Sequence, residues 1–87
     1  MWNVQIHDAV KRKLKQTPEP DKGRIKDAIC RLQYKPQLLD IKKLAGRDGY
    51  RLRVGKWRLL LDMDKENQEI SVYFLGSRCE VYKNKNL

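Results

Sequence analysis

Arginines at positions 51, 53 and 58 are the residues of this 87-residue chain best placed to do chemistry. A guanidinium is a planar fork of donors that stays protonated at any physiological pH. It cannot serve as an easy base, but it can grip a phosphate and stabilise charge that develops on it. Such work needs all three on one surface. Their spacing meets that need. Tyr50, Leu52 and Val54 alternate with Arg51 and Arg53; after Gly55-Lys56, Trp57, Leu59 and Leu61 resume the alternation, with Arg58 between the first two. Period two marks a half-buried strand. Gly followed by a polar residue is a two-residue hairpin turn of type II′. That turn sets Val54 opposite Trp57, Arg53 opposite Arg58, Leu52 opposite Leu59 and Arg51 opposite Leu60. One face is then apolar and the other carries the three arginines.

Like charges directly opposite one another cost roughly 0.2–1 kcal/mol. A sheet built for stability alone would set a Glu or Thr opposite Arg53. The face reads either as a phosphate site or as a solvated basic surface. In both readings Arg58 is exposed, so Arg58→Ala is expected to change stability by no more than about 0.5 kcal/mol.

The elements that must position this hairpin follow from the rest of the chain. Eighty-seven residues make one domain, 1–87, with one core. Trp2, Val4 and Ile6 alternate as a strand. Asp8 is expected to cap a short helix to about Gln16, with Val10 and Leu14 on one face. Pro20 suits the first turn of a second helix, and Asp21 favours its positive end. Ile25, Ala28, Ile29 and Leu32 recur at helical spacing, and Pro36 stops the run. Residues 37–49 form a Lys-rich connection with Leu38, Leu39, Ile41 and Leu44 as anchors. After the hairpin, a polar turn at 65–68 leads to a third strand. There Val72 is expected opposite Leu61 and Phe74 opposite Leu59, with Tyr73 and Leu75 on the arginine face and Gly76 ending the strand. The fold class is α+β, in the order β-α-α-β-β-β: an antiparallel sheet with two helices packed on one face.

Charge narrows the function. The chain carries 20 Lys+Arg against 11 Asp+Glu, a formal net charge of +9. The surplus peaks between Lys42 and Arg58, where Lys42, Lys43, Arg47, Arg51, Arg53, Lys56 and Arg58 face a single acid, Asp48. Such a stripe points to nucleic acid, an acidic protein, or both. Cys30 and Cys79 are far apart and in no metal-ligand spacing, as in reduced cytosolic proteins, and His7 is the only histidine. No run is long and apolar enough for a membrane span. No metal or cofactor is expected.

With these residues in view, the chain resembles the RelE/ParE toxin superfamily of toxin–antitoxin modules. The similarity lies in the Lys42-Lys43-Leu44-x-Gly46 lead-in, the strand Tyr50–Gly55 and Trp57-Arg58-Leu59. Gly76-x-Arg78 and Glu80-Val81-Tyr82 complete it. For the RelE branch the resemblance implies a ribosome-dependent mRNA endoribonuclease, free of metal and cofactor, held in check by a cognate antitoxin. The 2′-hydroxyl attacks the adjacent phosphate and a 5′-hydroxyl fragment leaves. The implied catalytic set is Arg51, Arg53, Arg58, Arg78 and Tyr82, with Lys42, Lys43, Arg47 and Lys56 binding RNA. Two positions depart from the family pattern: the first hairpin strand carries Arg where Lys is frequent, and Ser77 stands where many members have His. The resemblance leaves two rivals, a ParE-like DNA gyrase inhibitor that cuts nothing and a catalytically silent member. Each implies a cytoplasmic protein.

Overall fold

Alternation builds a sheet, and helical periodicity builds its cover. The computed structural model describes residues 1–77. In chain order these are β1 (Asn3–Ile6), α1 (Asp8–Gln16), α2 (Asp21–Tyr34), a short 3-10 turn (Pro36–Leu38), β2 (Ile41–Lys43), β3 (Tyr50–Val54), β4 (Trp57–Asp64) and β5 (Glu69–Ser77). The sheet order is β1-β5-β4-β3-β2. Every pairing is antiparallel except β1 with β5. That parallel pair is possible because the two helices carry the chain across the sheet between them.

The core lies between the helices and one sheet face. Val10 of α1 and Ile25, Ala28, Ile29 and Leu32 of α2 meet Leu52, Leu59, Leu61, Ile70, Val72 and Leu75. The periodic residues of α2 and the alternating residues of the hairpin therefore supply most of it. Fully burying each of the Val, Leu and Ile side chains contributes about 1.5–3 kcal/mol. The hairpin has the expected register, Val54 to Trp57, Arg53 to Arg58, Leu52 to Leu59 and Arg51 to Leu60. Gly55 takes the left-handed conformation at φ 60°, as the first residue of its turn requires. Trp57 closes the hairpin tip onto α2: its Nε1 donates to Asp21 Oδ2 at 3.0 Å.

Several expectations need correction. Residues 41–43 are not part of a plain connection but a fifth strand, paired to β3 through Ile41–Leu52 and Lys42–Arg51. Leu38 is no anchor, being 72% exposed, whereas Leu39 and Ile41 pack on the core. His7, not Asp8, is the N-cap residue of α1, and Asp8 sits in the first turn. The largest difference is in β5. Val72 does face Leu61, but the register then shifts, so that Phe74 faces Leu60 and Leu75 faces Leu59. One extra residue on β5 turns both Tyr73 and Phe74 away from the helices and gives Leu75, not Phe74, to the core. The strand also continues through Gly76 to Ser77. No described helix is long and apolar enough to cross a membrane.

Candidate nucleic-acid interface

Because Leu52, Leu59 and Leu61 point to the helices, their neighbours must point the other way. Two rows of side chains cross this outer face. Lys42, Arg51, Leu60 and Phe74 form one, and Arg53, Arg58 and Gly76 form the next. Lys42 is thus directly opposite Arg51, and Arg53 directly opposite Arg58. Among the described residues, no carboxylate lies within 4.0 Å of Lys42, Arg51 or Arg53. Three such cations on a rigid sheet match the fixed charge of a phosphodiester.

Arg58 differs from its neighbours. It is only 6% exposed, where solvent exposure was expected. Its Nη1 donates to the carbonyls of Gly55 and Trp57, both at 3.2 Å. The side chain folds back onto the hairpin turn, so the guanidinium is fixed before any ligand arrives. The exposure on which neutrality of Arg58→Ala was expected therefore does not hold, and a loss of stability is expected instead.

Other residues of the expected set are dispersed. Lys43 pairs with Tyr50 and shares the helix-side face with it. Lys56 turns toward α2, with Nζ 3.7 Å from Asp21 Oδ2 and 5.8 Å from the Trp57 ring centre. Neither joins the arginines. Arg47 lies on the β2–β3 loop, toward the far end of the outer face. Arg78 and Tyr82 fall outside the described residues. Ser77 pairs with Trp57 at the end of β5.

A second constellation was not anticipated. His7, Arg47, Asp48, Asp62 and Tyr73 line a cleft of about 610 Å³ on this same side of the sheet. The His7 and Tyr73 ring centres are 6.4 Å apart, with their planes at 56°. Gly49 makes the arrangement possible. At φ 113° it lies so close to β4 that an added Cβ would meet Leu61 O and Leu44 Cδ1 at 3.3 Å and Asp62 Oδ1 at 3.4 Å. This close approach brings Arg47 and Asp48 beside β4. Burial, assisted by the Asp62 charge and opposed by Arg47, raises the Tyr73 phenol above its ordinary value, so the hydroxyl keeps its proton. His7 could have been placed on the outer face by extending the β1 alternation. Its approach to Tyr73 depends on strand order, for which the sequence carries no signal.

No protein-family model matches the chain. It is 33% identical over 87 residues to the RelE1 toxin sequence of Methanocaldococcus jannaschii, covering 95% of this chain and 97% of that one. The chain belongs to the RelE toxin family. The structure of a RelB–RelE antitoxin–toxin complex from Methanococcus jannaschii superposes with a TM-score of 0.78 at 28% identity, over 94% of this chain and 99% of the other. The archaeal RelE–RelB complex of Pyrococcus horikoshii gives 0.77 at 28% identity, over 88% and 94%. The RelE assignment thus covers the whole α+β framework and not the hairpin alone.

Proposed function

We propose that this RelE-family chain is the toxin of a type II toxin–antitoxin module and a ribosome-dependent mRNA endoribonuclease. The observation that carries the reading is the outer sheet face, where Lys42 and Arg51 form one row and Arg53 and the pre-fixed Arg58 the next. In the reaction, a 2′-oxygen attacks phosphorus, the bond to the 5′-oxygen breaks, and a cyclic phosphate and a 5′-hydroxyl result. The 2′-hydroxyl proton goes to a base, and the departing oxygen receives a proton. Arginine is not the base, since it stays protonated. Arg51 and Arg53 hold the phosphates, and Arg58 stabilises the charge that builds on the attacked one. Family resemblance gives Arg78 a share of that charge and gives Tyr82 the proton-transfer or RNA-positioning role. No metal or cofactor enters this scheme.

The partner that restrains such a toxin is a cognate antitoxin. A RelB chain accompanies RelE in both archaeal complexes. A net charge of +9 favours a more acidic antitoxin segment that folds as it wraps the toxin. The setting is the cytoplasm, where ribosomes are.

Expression in cells followed by mapping of mRNA 5′ ends tests the reading. Cuts within codons, in frame with translation, are the expected result. Intact mRNA together with gyrase-linked DNA breaks would replace it with ParE-like action, and neither lesion would mark a silent member.

A further inference from the structure

Cleavage needs an acceptor for the 2′-hydroxyl proton, and the two rows of the outer face hold one group able to act as such. Arg51, Arg53 and Arg58 stay protonated, and Leu60, Phe74 and Gly76 carry nothing that titrates. Lys42 differs from both sets. A lysine ammonium can release its proton and serve as a base, which a guanidinium cannot do. Its position suits that work. Lys42 stands directly opposite Arg51, which sets their Cβ atoms about 5 Å apart. It is exposed on β2, the edge strand of the sheet, so its side chain can reach over a phosphate held by Arg51. Among the described residues, no carboxylate lies within 4.0 Å of it to favour the charged form. Of two like charges set side by side, only the lysine can relieve the repulsion by giving up a proton. The other titratable groups on this side, His7, Asp48, Asp62 and Tyr73, line the cleft at the far end of the face. Tyr73 is two strands away from Arg51, and the carboxylates would meet a phosphate as like charges.

We propose that Lys42 is the general base of the cleavage, working beside Arg51 across the β2–β3 pair. The proposal rests on the nuclease reading and names a catalytic residue for it. The neutral amine of Lys42 takes the 2′-hydroxyl proton as the 2′-oxygen bonds to phosphorus, and it becomes an ammonium. The bond from phosphorus to the 5′-oxygen breaks, and that oxygen takes a proton from the general acid, the part that family resemblance leaves to Tyr82. Lysine then releases its proton to solvent and the acid regains one, so the chain ends the cycle unchanged. The choice of an amine over a carboxylate has an electrostatic reason. A base that turns from neutral to cationic gains attraction as negative charge builds on the phosphate, and Arg51 holds the same anion from the neighbouring strand. A carboxylate would begin as a second anion and lose its charge just when it is needed.

The test is single-turnover cleavage of mRNA on ribosomes by the parent, Lys42→Arg and Lys42→Ala. Lys42→Arg keeps a positive charge opposite Arg51 but cannot give up a proton. It is expected to keep the parent's RNA affinity and melting temperature while cleaving ~10²-fold or more slowly, the share of one acid–base group. Lys42→Ala should lose that rate and one phosphate contact as well. Ethylamine added to Lys42→Ala should restore cleavage in proportion to the neutral amine, and at fixed total amine the recovery should grow with pH. Cleavage by Lys42→Arg at the parent's rate would overturn the proposal and leave Lys42 a phosphate ligand. Slow cleavage by both variants with no response to ethylamine would overturn it too, since an interaction rather than a base would have been lost. The two readings fail separately. A parent that leaves mRNA intact sinks the nuclease reading and this base with it, whereas a cutting parent matched by Lys42→Arg sinks the base alone.

Discussion

Arg53 and Arg58 face each other across the hairpin, yet one is exposed and the other is almost wholly buried. Arg58 spends donors on the carbonyls of Gly55 and Trp57, and Arg53 has no such anchor. Two chemically identical side chains are therefore expected to carry different shares of stability. Arg58→Ala removes a buried charge-assisted network and is expected to cost about 1–3 kcal/mol of stability. It is also expected to slow cleavage by ~10²–10³-fold. Arg53→Ala relieves a repulsion and should leave stability within about 0.5 kcal/mol while still slowing cleavage. Denaturant melts and single-turnover ribosome assays on both variants separate the two. Equal loss of stability in both would show that the burial difference has no energetic weight.

Salt dependence reports the phosphate contacts directly. Affinity for single-stranded RNA should fall linearly on a log–log plot against salt, by about 0.7 per contact. Arg53→Ala should reduce that slope by about 0.7, whereas Lys56→Ala, directed at Asp21 on the helix side, should leave it unchanged. An equal effect of the two would place Lys56 among the phosphate ligands after all.

Gly49 and Gly46 form a matched pair in one loop. Both have positive φ, but a Cβ at Gly46 meets nothing within 4 Å, and one at Gly49 runs into β4. Gly46→Ala should cost about 1–2 kcal/mol, the ordinary penalty of that backbone region. Gly49→Ala should cost clearly more, because backbone must move as well. Urea unfolding of the two variants decides; a smaller loss at Gly49 would contradict the close approach.

Acid should loosen the β4–β5 turn. Asp64 Oδ1 accepts from the backbone N–H groups of Glu66 and Asn67 at 3.1 and 3.2 Å, and Oδ2 accepts from Asn67 Nδ2 at 2.8 Å. The Asn67 side chain foremost, then these backbone donors, hold the carboxyl below its ordinary value of 3.8. A lowered folded value means that the stabilisation is present above about pH 4 and is lost as pH falls through the folded value. Asp64→Asn should melt lower than the parent at neutral pH, and the gap should narrow in acid. A gap independent of pH would rule out this carboxylate as the source.

Residues 50–61 were legible from sequence because two constraints coincide there. Alternation assigns each side chain to a face, and Gly55-Lys56 permits one turn, so the register and the arginine face follow without knowledge of the remaining strands. The apolar stripe of α2 was legible for the same reason, since helical spacing is local. In β5 that logic fails: Tyr73, Phe74 and Leu75 are all apolar or amphipathic, so alternation fits either register, and only packing against β4 admits the extra residue that gives Leu75 to the core. Alternation likewise named the face of Arg58 but not its burial, which depends on a side chain folding back to the turn carbonyls. The cleft of His7, Arg47, Asp48, Asp62 and Tyr73 was the least legible. Its members come from four separate stretches of chain, brought together by a parallel β1–β5 pairing and the close approach of Gly49. Local patterns set the faces of strands and helices; which elements become neighbours is decided by how their apolar faces are buried together.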